Sequence, residues 1–250
     1  MFKEYILLFL LIHILGDYYL QNDTLAKQKE ESLHGLFKHG VIYLCVCMAI
    51  VLLAFSAELV IAGIMMAFSH GVIDYIKYRY TLYLKKKSKM ANVLYMPKVY
   101  VADQCMHFIF IFAIAYVLTI NGCDFHALFP VEEFFRVIDI SFVPALKWII
   151  ILLMIWKPAN ITIKCLLSFY RPNDHKDDNK KAGGLIGLLE RLIILIFLST
   201  NQYSAIGLVL TAKSIARYEK ISSDKEFAEY YLLGTLMSTL IVIVLHLWIM

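Results

Sequence analysis

The chain has 250 residues, 60% of them hydrophobic and only 18% charged, with a mean hydropathy of +0.68, which lies outside the range of an ordinary soluble domain. Its net charge of +4 is modest and informs only through its distribution. The five cysteines, Cys45, Cys47, Cys105, Cys123 and Cys165, sit mostly inside apolar runs with no C-x-x-C, which argues against a disulfide framework and a thiolate zinc site.

Apolar runs near 20 residues predict membrane spans at about 2–20, 39–57, 58–80, 99–120, 142–160, 185–200, 203–219 and 228–249. The first run has no small-residue cleavage site and carries His13 and Asp17, so it is expected to stay as a helix. Most of the 24 basic residues fall in alternate connections, after the first, third, fifth and seventh spans. The intervening connections hold little beyond Arg136, beside Asp124, Glu132, Glu133 and Asp139. By the positive-inside rule the basic connections are cytoplasmic and both termini face out. The expected fold is all-α, a polytopic transmembrane bundle of about eight helices. The polar, Pro/Gly-punctuated stretch 170–184 reads as a cytoplasmic loop. It leaves an N-terminal bundle (1–120), a middle region (121–184) and a C-terminal three-span group (185–250).

Three short spacings stand out in this apolar sequence: His13-x3-Asp17, His70-x3-Asp74 and Asp103-x3-His107. On an α-helix each pair lies about 40° apart around the axis and roughly 6 Å apart along it. An Asp at mid-bilayer costs roughly 2.5–3.5 kcal/mol, so three of them need a compensating partner. Neutral imidazole beside ionised carboxylate is what a divalent cation takes. The topology puts all three pairs at the cytoplasmic ends of their helices, as one shared site requires. His13, Asp17 and Gln21 form an i, i+4, i+8 stripe, His70, Asp74 and Lys77 another, and Gln104 sits between Asp103 and His107. His34 and His39 flank the start of the second span and can complete a coordination shell. The donors are enough for one or two ions, zinc or manganese. The bland alternative is that each His only hydrogen-bonds a neighbouring helix.

A second polar set lies in the C-terminal third: Gly183-Gly184-x2-Gly187 before Glu190-Arg191, then Lys213, Arg217 and Glu219, then Glu229-Tyr230. A glycine-rich helix start with Arg191, Lys213 and Arg217 suits an anionic group, although basic residues at cytoplasmic helix ends are also ordinary topology signals. Arg191 lies inside an apolar helix and needs a partner from another helix, with Glu229 the first candidate. Lys85-Lys86-Lys87-x-Lys89 reads as a topology signal and a contact for anionic lipid rather than for nucleic acid.

At these residues the chain resembles the bacterial inner-membrane family catalogued as domain of unknown function 3307. The resemblance rests on His13-Ile-Leu-Gly-Asp-Tyr-Tyr-Leu-Gln21, His70-x3-Asp74-x2-Lys77 and Asp103-Gln-x2-His107, with Gly187-Leu-Leu-Glu-Arg191, Ala212-Lys-Ser-Ile-Ala-Arg217 and Glu229-Tyr-Tyr-Leu-Leu-Gly-Thr235 further on. It implies a bacterial inner-membrane location. A looser similarity of style is to membrane-bound metal-dependent hydrolases, which also scatter His and Asp over short transmembrane helices.

The leading expectation is a membrane hydrolase at the cytoplasmic leaflet, with His13, Asp17, His70, Asp74, Asp103 and His107 on the metal. Lys77 would neutralise a phosphate oxygen, Gln21 or Gln104 would orient water, and Arg191, Lys213 and Arg217 would steer an anionic or lipid-phosphate substrate. A metal or proton transporter is the first rival, disfavoured by the apolar outer half of the third span. A structural or sensing component is the second.

Overall fold

The computed structural model describes residues 1–52, 56–87, 89–122, 129–170 and 180–250. Among these residues the secondary structure is helical: α1 (Phe2–Ile14), a π-helical turn (Leu15–Tyr19), α2 (Asp23–Glu31), α3 (Leu33–Val51), α4 (Ala57–Lys87), α5 (Lys89–Ile120), α6 (Phe129–Val137), α7 (Phe142–Leu166), α8 (Lys180–Ser199), α9 (Tyr203–Ile215), α10 (Tyr218–Ser223) and α11 (Lys225–Ile249). Among the described residues, five helices are long and apolar enough to cross a membrane: Leu33–Val51, Ala57–Lys87, Met96–Ile120, Phe142–Leu166 and Lys225–Ile249. Their outer faces carry large apolar side chains such as Ile61, Met65, Phe68, Ile109 and Leu247, all exposed, as surfaces that meet hydrocarbon must. Most of the polar loop expected over 170–184, with His175, lies outside the described residues, as do Cys123 and His126. The other four cysteines are free thiols.

The chain forms two compact units, Met1–Ile150 and Ile151–Met250. In the first, α1 packs against α3 and α5, α3 against α4, and α4 against α5. One end of this bundle is an apolar layer of Tyr5, Phe9 and Ile12 from α1, Val46, Cys47 and Ile50 from α3, Leu59 and Ala62 from α4, and Ile114 and Leu118 from α5. The α1 helix is buried on nearly every side, which fits a segment without a polar face. The same four helices carry their His and Asp residues at the other end, so polarity is sorted by level along the bundle.

Two short devices hold that polar end together. Asn22 caps α2 by accepting from Leu25 N–H at 2.8 Å, and Ser32 caps α3 by accepting from Gly35 N–H at 3.0 Å. Gly35 is where α3 meets the end of α2: a Cβ there would stand 2.3 Å from the backbone of Gln28. That contact fixes α2 against α3 and brings Lys29 over the bundle.

The first stripe differs from expectation. The α-helix ends at Ile14, and the following turn is π-helical, closed by Leu20 N–H to Leu15 C=O at 2.8 Å. His13, Asp17 and Gln21 are therefore not a regular i, i+4, i+8 row. The wider turn sends His13 and Asp17 to different partners, a recurrent use of π turns at functional sites. Gly16 makes the turn possible, since a Cβ at this position would sit 2.5 Å from Tyr43 Cδ2. Gly16→Ala is expected to push the Tyr43 ring aside at a cost of about 1–3 kcal/mol, which a thermal melt in detergent would read.

In the second unit α8 packs on α9 and α11, and α10 on α11. Arg191 is almost completely buried. Its Nε donates to Ile155 C=O at 2.6 Å, Nη2 to Asn160 Oδ1 at 2.7 Å and Nη1 to Ser238 Oγ at 3.2 Å. Pro158 lies inside the same helix three residues on, and the N–H it lacks is the one that would bond Met154 C=O. Glu229, the expected ion-pair partner, is exposed and takes no part. Glu190 turns instead to Lys213, at 2.7 Å.

Candidate metal centre

The polar layer of the first unit brings together residues from α1, the π turn, α2, α3, α4 and α5. Its centre is a set of four donor atoms: Asp17 Oδ1, His39 Nε2, His70 Nε2 and Asp74 Oδ2. Five of the six distances among them are 3.0 Å (His39–His70), 3.3 Å (His39–Asp17), 3.4 Å (His39–Asp74), 3.2 Å (His70–Asp74) and 3.8 Å (His70–Asp17). Zinc bonds of about 2.0–2.1 Å in tetrahedral geometry place their donor atoms about 3.3–3.4 Å apart. Those five spacings lie near the edge of a zinc tetrahedron, and the two carboxylate oxygens, the remaining edge, are within 4.8 Å of each other. His39, His70 and Asp74 are buried, and Asp17 nearly so.

His39 reaches this set because α3 begins at Leu33, six residues ahead of the expected start of the second span. His39 lies one and a half turns inside the helix with its ring fully buried. His34, the other flanking imidazole, is exposed and belongs to none of the donor groups among the described residues.

Lys29 is the residue that sequence reasoning missed. It counted as one of several basic residues in a cytoplasmic connection, yet its ammonium lies 2.9 Å from Asp74 Oδ2 and 3.2 Å from Asp17 Oδ1, and donates to Gln21 Oε1 at 3.3 Å. It is only 7% exposed. Burial by itself lowers a lysine pKa. Here the Asp17 and Asp74 carboxylates outweigh burial and hold the ammonium above its ordinary value. Gln21 thereby serves Lys29. A signal was present: Leu25 and Lys29 stand one turn apart on α2, so the helix face that buries Leu25 against the bundle buries Lys29 with it.

A second group adjoins the first. Asp74, Asp103 and His107 bring one ligand atom each to within 4.8 Å of one another. Lys77 Nζ donates to Asp103 Oδ2 at 2.9 Å, and Gln104 Nε2 donates to the same oxygen at 3.1 Å. With Gln104 so oriented, its Oε1 accepts from Tyr18 O–H at 2.8 Å and faces His13 Nε2 at 3.2 Å. An amide oxygen only accepts, so His13 carries its proton on Nε2 and leaves Nδ1 bare. Tyr18 in turn bonds Tyr100, at 2.9 Å between hydroxyls. Gln104 is therefore an orienting residue, and Lys77 is the partner of Asp103.

Tyr43 stacks on His70 with ring centroids 3.6 Å apart and planes at 9°, and His107 stacks on the same ring at 4.4 Å and 26°. These contacts lock the His70 ring. A small recess of about 10 Å³ lies beside His13, His70 and His107, walled by Tyr43, Ser69 and Phe110 among others. His13, His70 and His107 also form a donor group of their own.

The C-terminal basic residues do not share one site. Arg191 is consumed by helix-to-helix bonds, Lys213 pairs with Glu190 and lies 5.2 Å from the Tyr231 ring centroid, and Arg217 is exposed.

No curated protein and no solved structure matches the chain. A family model, Protein of unknown function (DUF3307), matches residues 5–136, which is more than half of the 250 residues and includes every member of the polar layer. The C-terminal stretches from Gly187 onward lie outside that match. With the whole His/Asp layer inside the matched residues, the chain belongs to the DUF3307 family.

Proposed function

We propose that the chain is a membrane-embedded, metal-dependent hydrolase acting at the cytoplasmic leaflet of a bacterial inner membrane on a phosphoester or lipid-linked substrate. The observation that carries this reading is the zinc-sized tetrahedron of Asp17, His39, His70 and Asp74. Two imidazole nitrogens and two carboxylate oxygens suit zinc better than manganese, which favours oxygen-rich octahedra. When bound, the metal supplies a water of lowered pKa and a Lewis acid for the scissile group. The chain's own residues hold the donors still: Lys29 and Gln21 brace Asp17, Tyr43 and His107 brace His70, and Lys77 and Gln104 brace Asp103. The wider topology of eight spans with both termini outside follows from the distribution of Lys and Arg, and it sets this layer at the headgroup level.

Two observations favour other readings. The bond chain from Tyr100 through Tyr18 and Gln104 to His13 would suit a proton or metal path. Against that, the apolar layer of Phe9, Ile12, Ile50, Leu59 and Ile114 closes the other end of the bundle. Lys29 between two carboxylates would suit a purely structural ion network.

The deciding experiment is a hydrolysis screen on the purified full chain, with nitrophenyl phosphomonoester and phosphodiester probes and with phospholipid vesicles. The expected result is zinc-dependent turnover that Asp17→Asn loses. Zinc-dependent flux into proteoliposomes with no hydrolysis of any probe would overturn the reading in favour of transport.

A further inference from the structure

Four protein ligands close a zinc tetrahedron, and a catalytic zinc keeps one position open. The open position has to come from elsewhere in the layer. The buried ligand atoms of the layer without a hydrogen-bond partner include the Nδ1 atoms of His13, His39 and His70, and three more that fall on the residues of one donor group: Asp74 Oδ1, Asp103 Oδ1 and His107 Nε2. Those last three residues are 2%, 5% and 3% exposed. Leaving such an atom bare is costly, the more so for a charged group, and three at one place call for a common partner.

From these atoms we infer a second divalent-cation site formed by Asp74, Asp103 and His107, with the Asp74 carboxylate bridging the two ions. The inference rests on the metal reading of the first site. Asp74 belongs to both donor groups: its Oδ2 faces His39 and His70, and its Oδ1 is buried without a hydrogen-bond partner and is the oxygen left for a second ion. The two oxygens of Asp103 divide in the same way. Lys77 and Gln104 occupy its Oδ2 and leave Oδ1 to the ion. Asp103 Oδ1 and His107 Nε2 stand 3.6 Å apart, an ordinary spacing for two ligands of one ion. With three protein ligands this site is the open one. Ions bridged by a carboxylate sit about 3.5–4 Å apart, the spacing of two-metal hydrolytic centres.

Charge ties the second ion to the substrate class. Asp17, Asp74 and Asp103 against Lys29 and Lys77 leave the layer with one net negative charge. Two divalent ions reverse that to a surplus of positive charge. A hydroxide on the open ion together with the anionic oxygens of a phosphate group offsets the surplus. The second site thus takes a divalent cation and presents it to an anionic oxygen ligand.

The test is zinc stoichiometry of the full chain in detergent, by equilibrium dialysis against buffered free zinc, for wild type, Asp17→Asn, Asp103→Asn and His107→Phe. The last variant keeps the ring stacked on His70 and removes no charge, so it reports even if Asp103→Asn fails to fold. The expected result is two equivalents in wild type and one each in Asp17→Asn and His107→Phe. One equivalent in wild type, kept by His107→Phe and lost by Asp17→Asn, overturns the second site and leaves the first standing. One equivalent kept by Asp17→Asn and lost by His107→Phe overturns the tetrahedral site instead. No zinc in wild type overturns both.

Discussion

Lys29→Met is expected to destabilise the metal-free protein by about 3–5 kcal/mol, the usual cost of removing one member of a buried charge cluster. Asp17 and Asp74 would then face each other with no ammonium paired to either. With zinc bound, the same substitution should cost far less, because the ion supplies the compensating charge. The two statements are one coupling free energy, so Lys29→Met must also bind zinc more tightly than wild type. Thermal unfolding of both proteins, in chelator and in zinc, reads the effect directly. An equal loss of Tm in the two conditions would mean that zinc does not reach Asp17 and Asp74, and would leave Lys29 as the sole cation of a structural network.

Asp74→Asn should remove bound metal from both donor groups and lower zinc-dependent turnover by about 10²–10³-fold, the scale seen on losing a principal transition-state contact. The amide is nearly isosteric with the carboxylate, so the helices have no steric reason to move. Asn can neither bridge two ions as an anion nor pair with Lys29. Circular dichroism and elemental analysis on the same sample separate loss of metal from loss of fold. Stoichiometric zinc in folded Asp74→Asn would sink the assignment of this residue.

The three His/Asp spacings were readable in the sequence because an α-helix converts i, i+4 into one face, and α4 and α5 honour that rule at His70–Asp74 and Asp103–His107. Their convergence was readable too, from the agreement between motif positions and the distribution of Lys and Arg. What stayed hidden was set by tertiary contact. The π turn at Leu15–Tyr19 arises where Gly16 lets the Tyr43 ring come close, and no local pattern announces a ring from another helix. Lys29 looks like any cytoplasmic lysine until Gly35 draws α2 against α3 and turns it inward. His39 was placed at a helix start because apolarity marks the membrane-facing part of α3 and not its polar first turns. The partners of Arg191 were missed for a related reason. A backbone carbonyl carries no side-chain signature.

The most direct test of the central claim is zinc K-edge X-ray absorption on the purified full chain. The account predicts a first shell of nitrogen and oxygen at about 2.0–2.1 Å with outer scattering from imidazole, which weakens in His39→Ala. A shell containing sulfur near 2.3 Å, or a protein that takes up no zinc, would contradict it.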